Sequence, residues 1–150
     1  MQEPHKDWPW ISSAVFYEDA ATAIDWICKA FGFEVRLRIE GEGGRIEHSE
    51  LTYHGGLIMV GSVGGKAGAE RSQCKSPRSL GGANTQSLCV YVGDVDAHCA
   101  HARQAGAKIV REPTTDDYGD DYGAIRAYEA VDPEGHHWWF MRVTRGPKTT

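Results

Sequence analysis

The residues best equipped for chemistry lie in one short run, Asp132-Pro133-Glu134-Gly135-His136-His137-Trp138-Trp139-Phe140. Adjacent histidines suggest a metal site, because neutral imidazole is a common ligand for transition ions. The run nevertheless follows a turn and reads as a strand, where successive side chains point to opposite faces, so both histidines cannot grip one ion. Alternation puts His137, Trp139 and Met141 on one face and His136, Trp138 and Phe140 on the other. His137 is thus either a ligand contact or general base, or a hydrogen-bonded wall residue. Two further acids, Glu50 and Glu129, occupy matching places in the chain, and paired carboxylates can move protons or hold a cation. With His48 and His137 they make up a noncanonical set for a divalent metal. Arg36 and Arg38, read on one face of their strand, and Arg126 either clamp an anionic ligand or pair at the surface.

The elements that position these residues come from an internal repeat. Residues 15–35, VFYEDAATAIDWICKAFGFEV, and residues 90–110, VYVGDVDAHCAHARQAGAKIV, share one order: a β-rich run, an aspartate, a helical stretch, a glycine and a second β-rich run. Asp19 and Asp94 are placed to cap helices over about 20–31 and 95–105. Ala20, Ala23, Ile24, Ile27 and Phe31 recur at helical spacing, and Gly32 and Gly106 supply stops. GRIEHSELTYHGGLIMVGS from Gly44 aligns without gaps on GAIRAYEAVDPEGHHWWFM from Gly123, which matches Glu50 to Glu129 and Gly56 to Gly135. Each copy therefore reads strand, helix, three strands. The fold class is α+β: two tandem βαβββ modules, about 8–62 and 84–144, joined by a Gly/Ser-rich linker over 63–83 within a single domain of 1–150.

The same alternation fixes a candidate cavity wall. If Ser12 and Ser87 face inward, so do Trp10, Ala14, Phe16, Cys89 and Tyr91, leaving apolar Leu88, Val90 and Val92 to pack on the second helix. Aromatic groups around a hollow favour a flat or hydrophobic ligand, although the same rings also serve to fill a core. TTDDYGDDYG, residues 114–123, reads as an exposed loop whose Tyr118 and Tyr122 cover the pocket mouth.

Composition excludes several classes. A net charge of -5, with acids scattered apart from Asp116, Asp117, Asp120 and Asp121, does not suit a nucleic-acid partner. No run approaches the roughly 18 apolar residues of a membrane helix, and the N-terminus lacks a signal pattern, so a cytoplasmic, membrane-free protein is expected. Cys28, Cys74, Cys89 and Cys99 form no C-x-x-C pair, which argues against a disulfide framework or zinc knuckle.

Paired βαβββ modules, strand-Asp-helix starts and the closing DPEGHHWWF resemble the vicinal oxygen chelate superfamily, which includes glyoxalase I, bleomycin-resistance proteins and extradiol dioxygenases. The resemblance covers nearly the whole chain. It implies cupped mixed sheets with helices outside, a ligand cavity within and commonly a homodimer. It also implies four metal ligands, seven residues before each capping aspartate and four after each turn glycine. Here those positions are Ser12, Ser87, Val60 and Trp139, which offer no imidazole or carboxylate. The expectation is a metal-independent, cofactor-free protein that binds a flat, partly apolar small molecule through Trp10, Ser12, Phe16, Val60, Ser87, Tyr91, His137, Trp139 and Met141. The alternatives are a metal-dependent glyoxalase-like lyase, isomerase or dioxygenase that uses Glu50, Glu129, His48 and His137, and a structural dimer without ligand.

Overall fold

A computed structural model describes residues 1–64 and 73–148 and divides the chain into two compact units, Met1–Gly81 and Gly82–Thr150. The middle of the expected linker, 65–72, lies outside the described residues. The chain is α+β, and each unit is one βαβββ module.

The first unit contains β1 (Ser13–Tyr17), α1 (Ala20–Phe31), β2 (Glu34–Glu40), β3 (Ile46–Tyr53) and β4 (Gly56–Ser62). Its sheet runs β1-β4-β3-β2, with β1 parallel to β4 and the other pairs antiparallel. Asp19 caps α1 by accepting from the Thr22 amide at 3.1 Å and from the Thr22 hydroxyl at 2.8 Å, and these bonds hold its carboxyl below the usual aspartate range. Gly32 ends the helix at φ 81°, a left-handed conformation that glycine adopts freely. The helix buries Ile24, Ile27 and Phe31 almost completely, each contributing roughly 1.5–3 kcal/mol of hydrophobic stabilisation. Val15, Tyr17, Leu51 and Val60 complete this core on the helix-covered face of the sheet.

The second unit repeats the plan with β5 (Leu88–Tyr91), α2 (Val95–Gln104), β6 (Lys108–Asp117), β7 (Ala124–Val131) and β8 (His137–Arg145), in sheet order β5-β8-β7-β6. Asp94 caps α2 through the Ala97 amide at 3.0 Å. Trp138, Tyr128 and Phe140 are fully buried on the helix-covered face, where His98 of α2 meets the Tyr128 hydroxyl at 2.7 Å and the Phe140 ring at 4.5 Å. The expected loop over 114–123 is shorter than the sequence indicates, because β6 continues to Asp117 and pairs with β7 as far as Ala124.

Strand register corrects the gapless alignment of the final hairpins. Glu50 pairs with Met59, whereas Glu129 pairs with Trp139. The turn after Val131 spans Asp132 to His136, one residue longer than its counterpart between Thr52 and Leu57. A shift of one position exchanges sheet faces. The position in the first unit equivalent to Trp139 is therefore Met59. Val60 pairs with Val15 and is 1% exposed on the helix-covered face.

Candidate functional site

The Asp-Pro-Glu-Gly turn builds the site by fixing the start of β8. Asp132, 5% exposed, accepts the Glu134 amide at 3.1 Å and the His136 amide at 3.0 Å through Oδ1, and the Trp138 indole N–H at 3.0 Å through Oδ2. That clamp seats Trp138 in the core and, by alternation, sends His137, Trp139 and Met141 to the helix-free face. His136 is buried at the turn. The two histidines part company because His136 belongs to the turn and His137 opens β8, not through strand alternation.

On the helix-free face of the second unit lies a hollow of about 610 Å³ lined by Ser87, Cys89, Tyr118, Tyr122, Ile125, Trp139 and Met141. Its size falls within the usual span for small-molecule sites, and the walls are mostly apolar. Tyr118 and Tyr122 stand edge to face at 5.5 Å on the β6–β7 turn and form one wall. Gly123 secures that turn at φ +99°, where a Cβ would collide with the Arg145 carbonyl. The Gly123 amide also donates to the Gly119 carbonyl at 2.7 Å. Desolvation pushes the Cys89 thiol above its usual range, which disfavours the nucleophilic thiolate.

Beside the hollow, His137 Nε2 and Glu129 Oε2 are 3.1 Å apart, and Asn84 Oδ1 accepts the His137 amide at 3.1 Å. Arg111, on the same face, lies 6.0 Å from the Trp139 ring centroid and donates to Asp116 at 2.6 Å. Of the other expected wall residues, Tyr91 pairs with Met141 but is 56% exposed and does not line the hollow. Trp10 precedes β1 and is 66% exposed, so strand alternation does not reach it. Phe16 belongs to the first unit, where a smaller hollow of about 270 Å³ is bordered by Ala14, Phe16, His48, Met59, Val60 and Gly61. Ile125 was missed by the sequence reading, although the alternation of β7 places it on the face of Glu129.

In the first unit the acid is tied down. Glu50, 6% exposed, accepts Arg36 Nε at 2.8 Å, pairs with Arg36 NH2 at 2.8 Å and lies 3.0 Å from His48 Nε2. Burial alone would push this carboxyl up, but the bonds from His48 and Arg36 and their charges outweigh it and hold the group below the usual glutamate range. Arg36 also lies 4.9 Å from the Trp8 ring centroid and donates to the Asp7 carbonyl at 2.6 Å. Arg36 and Arg38 do not share a face. A β-bulge between Val35 and Leu37 turns Arg36 toward Glu50, while Arg38 reaches Asp25 on α1 at 3.1 Å. Arg126 makes a two-pronged pair with Asp96 of α2 at 2.6 and 2.7 Å, a surface role.

The donors at the metal positions implied by the family do not suit a divalent ion. With register corrected they are two serine hydroxyls, the Met59 thioether and the Trp139 ring; the enclosed Ser12 Oγ has no hydrogen-bond partner. The alternative set fits no better, because the Arg36 guanidinium sits on Glu50 where a cation would bind, and Glu129 and His137 supply only two donors. Among the described residues, no group of three or more His, Cys, Asp or Glu side chains is placed to hold a metal ion.

Comparison with known proteins places this geometry. The model of the Glyoxalase/Bleomycin resistance protein/Dioxygenase superfamily matches residues 10–140, and the chain belongs to that superfamily. Uncharacterized proteins of Mycobacterium bovis and Mycobacterium tuberculosis are 34% identical over 135 residues, spanning 87% of this chain and 80% and 72% of those proteins. The crystal structure of TioX from Micromonospora sp. ML1 is similar at a TM-score of 0.68 and 32% identity, covering 89% of this chain and 97% of that one. A glyoxalase/bleomycin resistance protein from Streptomyces sp. CB03234, with a TM-score of 0.60 and 18% identity over 87% of this chain and 97% of that one, shares the fold.

Proposed function

Taking that membership as the premise, we propose that the chain is a metal-independent small-molecule-binding protein that holds a flat, partly apolar compound on the helix-free face of its second unit. The observation that carries this reading is the hollow of about 610 Å³ walled by Tyr118, Tyr122 and Trp139, with Met141 and Ile125 adding apolar surface. Rings bring large contact areas at low conformational cost, and they stack on planar ligands. Ser87 contributes a hydroxyl for orientation. No ion is needed for affinity of this kind, and the reading requires no cofactor.

The metal-dependent alternative is weakened by chemistry: Glu50 is already neutralised by Arg36, and Glu129 and His137 face each other. We further propose that the protein acts as a homodimer. Leu37 and Ile39, paired with Glu50 and His48 on the helix-free face of edge strand β2, are 39% and 46% exposed, an apolar strip that a partner chain would cover. No helix among the described residues is long and apolar enough to cross a membrane. A cytoplasmic location belongs to the same proposal.

Calorimetric titration of EDTA-treated protein with 1-naphthylmethanol tests the binding reading. Saturable binding in wild type, weakened at least about tenfold by Trp139→Ala, is the expected result. Binding that appears only after zinc, nickel, manganese or iron is restored would overturn it.

A further inference from the structure

The internal repeat makes a controlled comparison possible, because each unit places one glutamate at the same point on its helix-free face. In the first unit Glu50 is matched by a full positive charge, the Arg36 side chain delivered by the β2 bulge. In the second unit β6 carries the corresponding irregularity between Ile109 and Arg111, but Val110 stands at the bulge where β2 has Arg36. Arg111 binds Asp116 at 2.6 Å and acts on Glu129 through its charge, while His137 Nε2 lies 3.1 Å from Glu129 Oε2. Around Trp139 this face thus sets two carboxylates, Asp116 and Glu129, against one guanidinium, with Lys108 further along it, opposite Val131.

Glu129 lies directly across the strands from Trp139, a register that sets such side chains about 5 Å apart at Cβ. Its side chain is 19% exposed, so it remains accessible from solvent. No lysine or arginine lines the hollow itself. The turn that carries Tyr118 and Tyr122 adds Asp117, Asp120 and Asp121 against Arg145 and Lys148, again leaving a negative remainder. Aromatic faces attract cations through their negative ring quadrupoles, most strongly where water is partly excluded.

From these placements we infer that the hollow selects organic cations, meaning planar or alkylated ammonium or amidinium compounds, with Glu129 as the counter-charge and Trp139, Tyr118 and Tyr122 as the receiving rings. This rests on the binding function proposed above and names the ligand class for that same site. Arg111 lies at the outer limit of contact with Trp139 and is neutralised by Asp116. It marks the ring as able to host a cation, while its own hydrogen bond goes to Asp116 rather than to Glu129.

Three probes of similar shape separate the possibilities: (1-naphthylmethyl)trimethylammonium, neutral 1-naphthylmethanol and anionic 1-naphthylacetate, each titrated calorimetrically into the full chain at low salt. The cation is expected to bind at least about tenfold more tightly than the other two, with the advantage shrinking as salt is raised. Glu129→Gln should bring the ratio of cation to neutral affinity close to one, and Arg111→Gln should raise it. Because the ratio is internal to each variant, a general loss of folding does not imitate either change. Equal binding of cation and neutral probe, or a preference for the anion, overturns the charge selection while the binding hollow stands. Failure of all three to bind overturns the hollow as a site and the selection with it.

Discussion

Replacing Arg36 with Gln should destabilise the protein by about 2–3 kcal/mol, a figure that follows from what the side chain holds. Its Nε and NH2 both reach Glu50 Oε2 at 2.8 Å, and the two side chains are 26% and 8% exposed. Stranding a fully buried ion-pair partner costs about 3–5 kcal/mol, and the partial exposure of Arg36 lowers that because water can reach the site. Loss of the contacts to Trp8 and the Asp7 carbonyl adds a smaller amount. Removing the charge and its counter-charge together, as in Arg36→Met with Glu50→Leu, should recover most of the loss, because a buried pair roughly breaks even against apolar packing. Urea unfolding at pH 7 measures both quantities. The sign with pH is also fixed. Because the Glu50 carboxyl is held below the ordinary 4.5, its stabilising effect is fully present above that value and is lost as pH falls through its lower folded value. The stability gap between wild type and Glu50→Gln should therefore close on acidification below about pH 4.5. A cost under about 0.5 kcal/mol for Arg36→Gln, or a gap that widens in acid, would refute the reasoning.

Asp132→Ala should cost about 3 kcal/mol or more in urea unfolding, because three buried donors, two amides and the Trp138 indole, lose their acceptor together. Gly123→Ala should be comparably destabilising, as the left-handed backbone and the Arg145 carbonyl both oppose a Cβ, and near-ultraviolet circular dichroism should register the disturbance of Tyr118 and Tyr122. Asp19→Ala and Asp94→Ala should each lower stability by about 1 kcal/mol, the ordinary value of a helix N-cap, measurable as separate shifts of the urea midpoint. Thermal unfolding with and without EDTA should give the same midpoint, since the metal positions implied by the family lack suitable donors.

The fold was readable in the sequence because local rules and the repeat agreed. Asp19 and Asp94 cap as their positions demand, Gly32 stops α1, and apolar spacing marks the buried helix faces. Face assignment along β5 and β8 also followed, since alternation from Ser87 and His137 survives in regular strands. Legibility failed where one residue changed the count. The longer turn from Asp132 to His136 moved the repeat equivalent of Trp139 from Val60 to Met59, and the bulge beside Val35 separated Arg36 from Arg38. Neither irregularity has a marker in residue type alone, because insertions and bulges are settled by pairing with a neighbouring strand. Trp10 was misplaced for a related reason: the alternation of β1 was carried beyond the point where the strand begins.

The central claim is that the second unit binds its ligand on the helix-free face without an ion. Residue-resolved NMR titration of EDTA-treated protein with the naphthyl probes tests it most directly. Shifts concentrated at Ser87, Cys89, Tyr118, Tyr122, Ile125, the Trp139 indole N–H and Met141 are what the account predicts. Shifts confined to other residues, or arising only once a divalent metal is supplied, would contradict it.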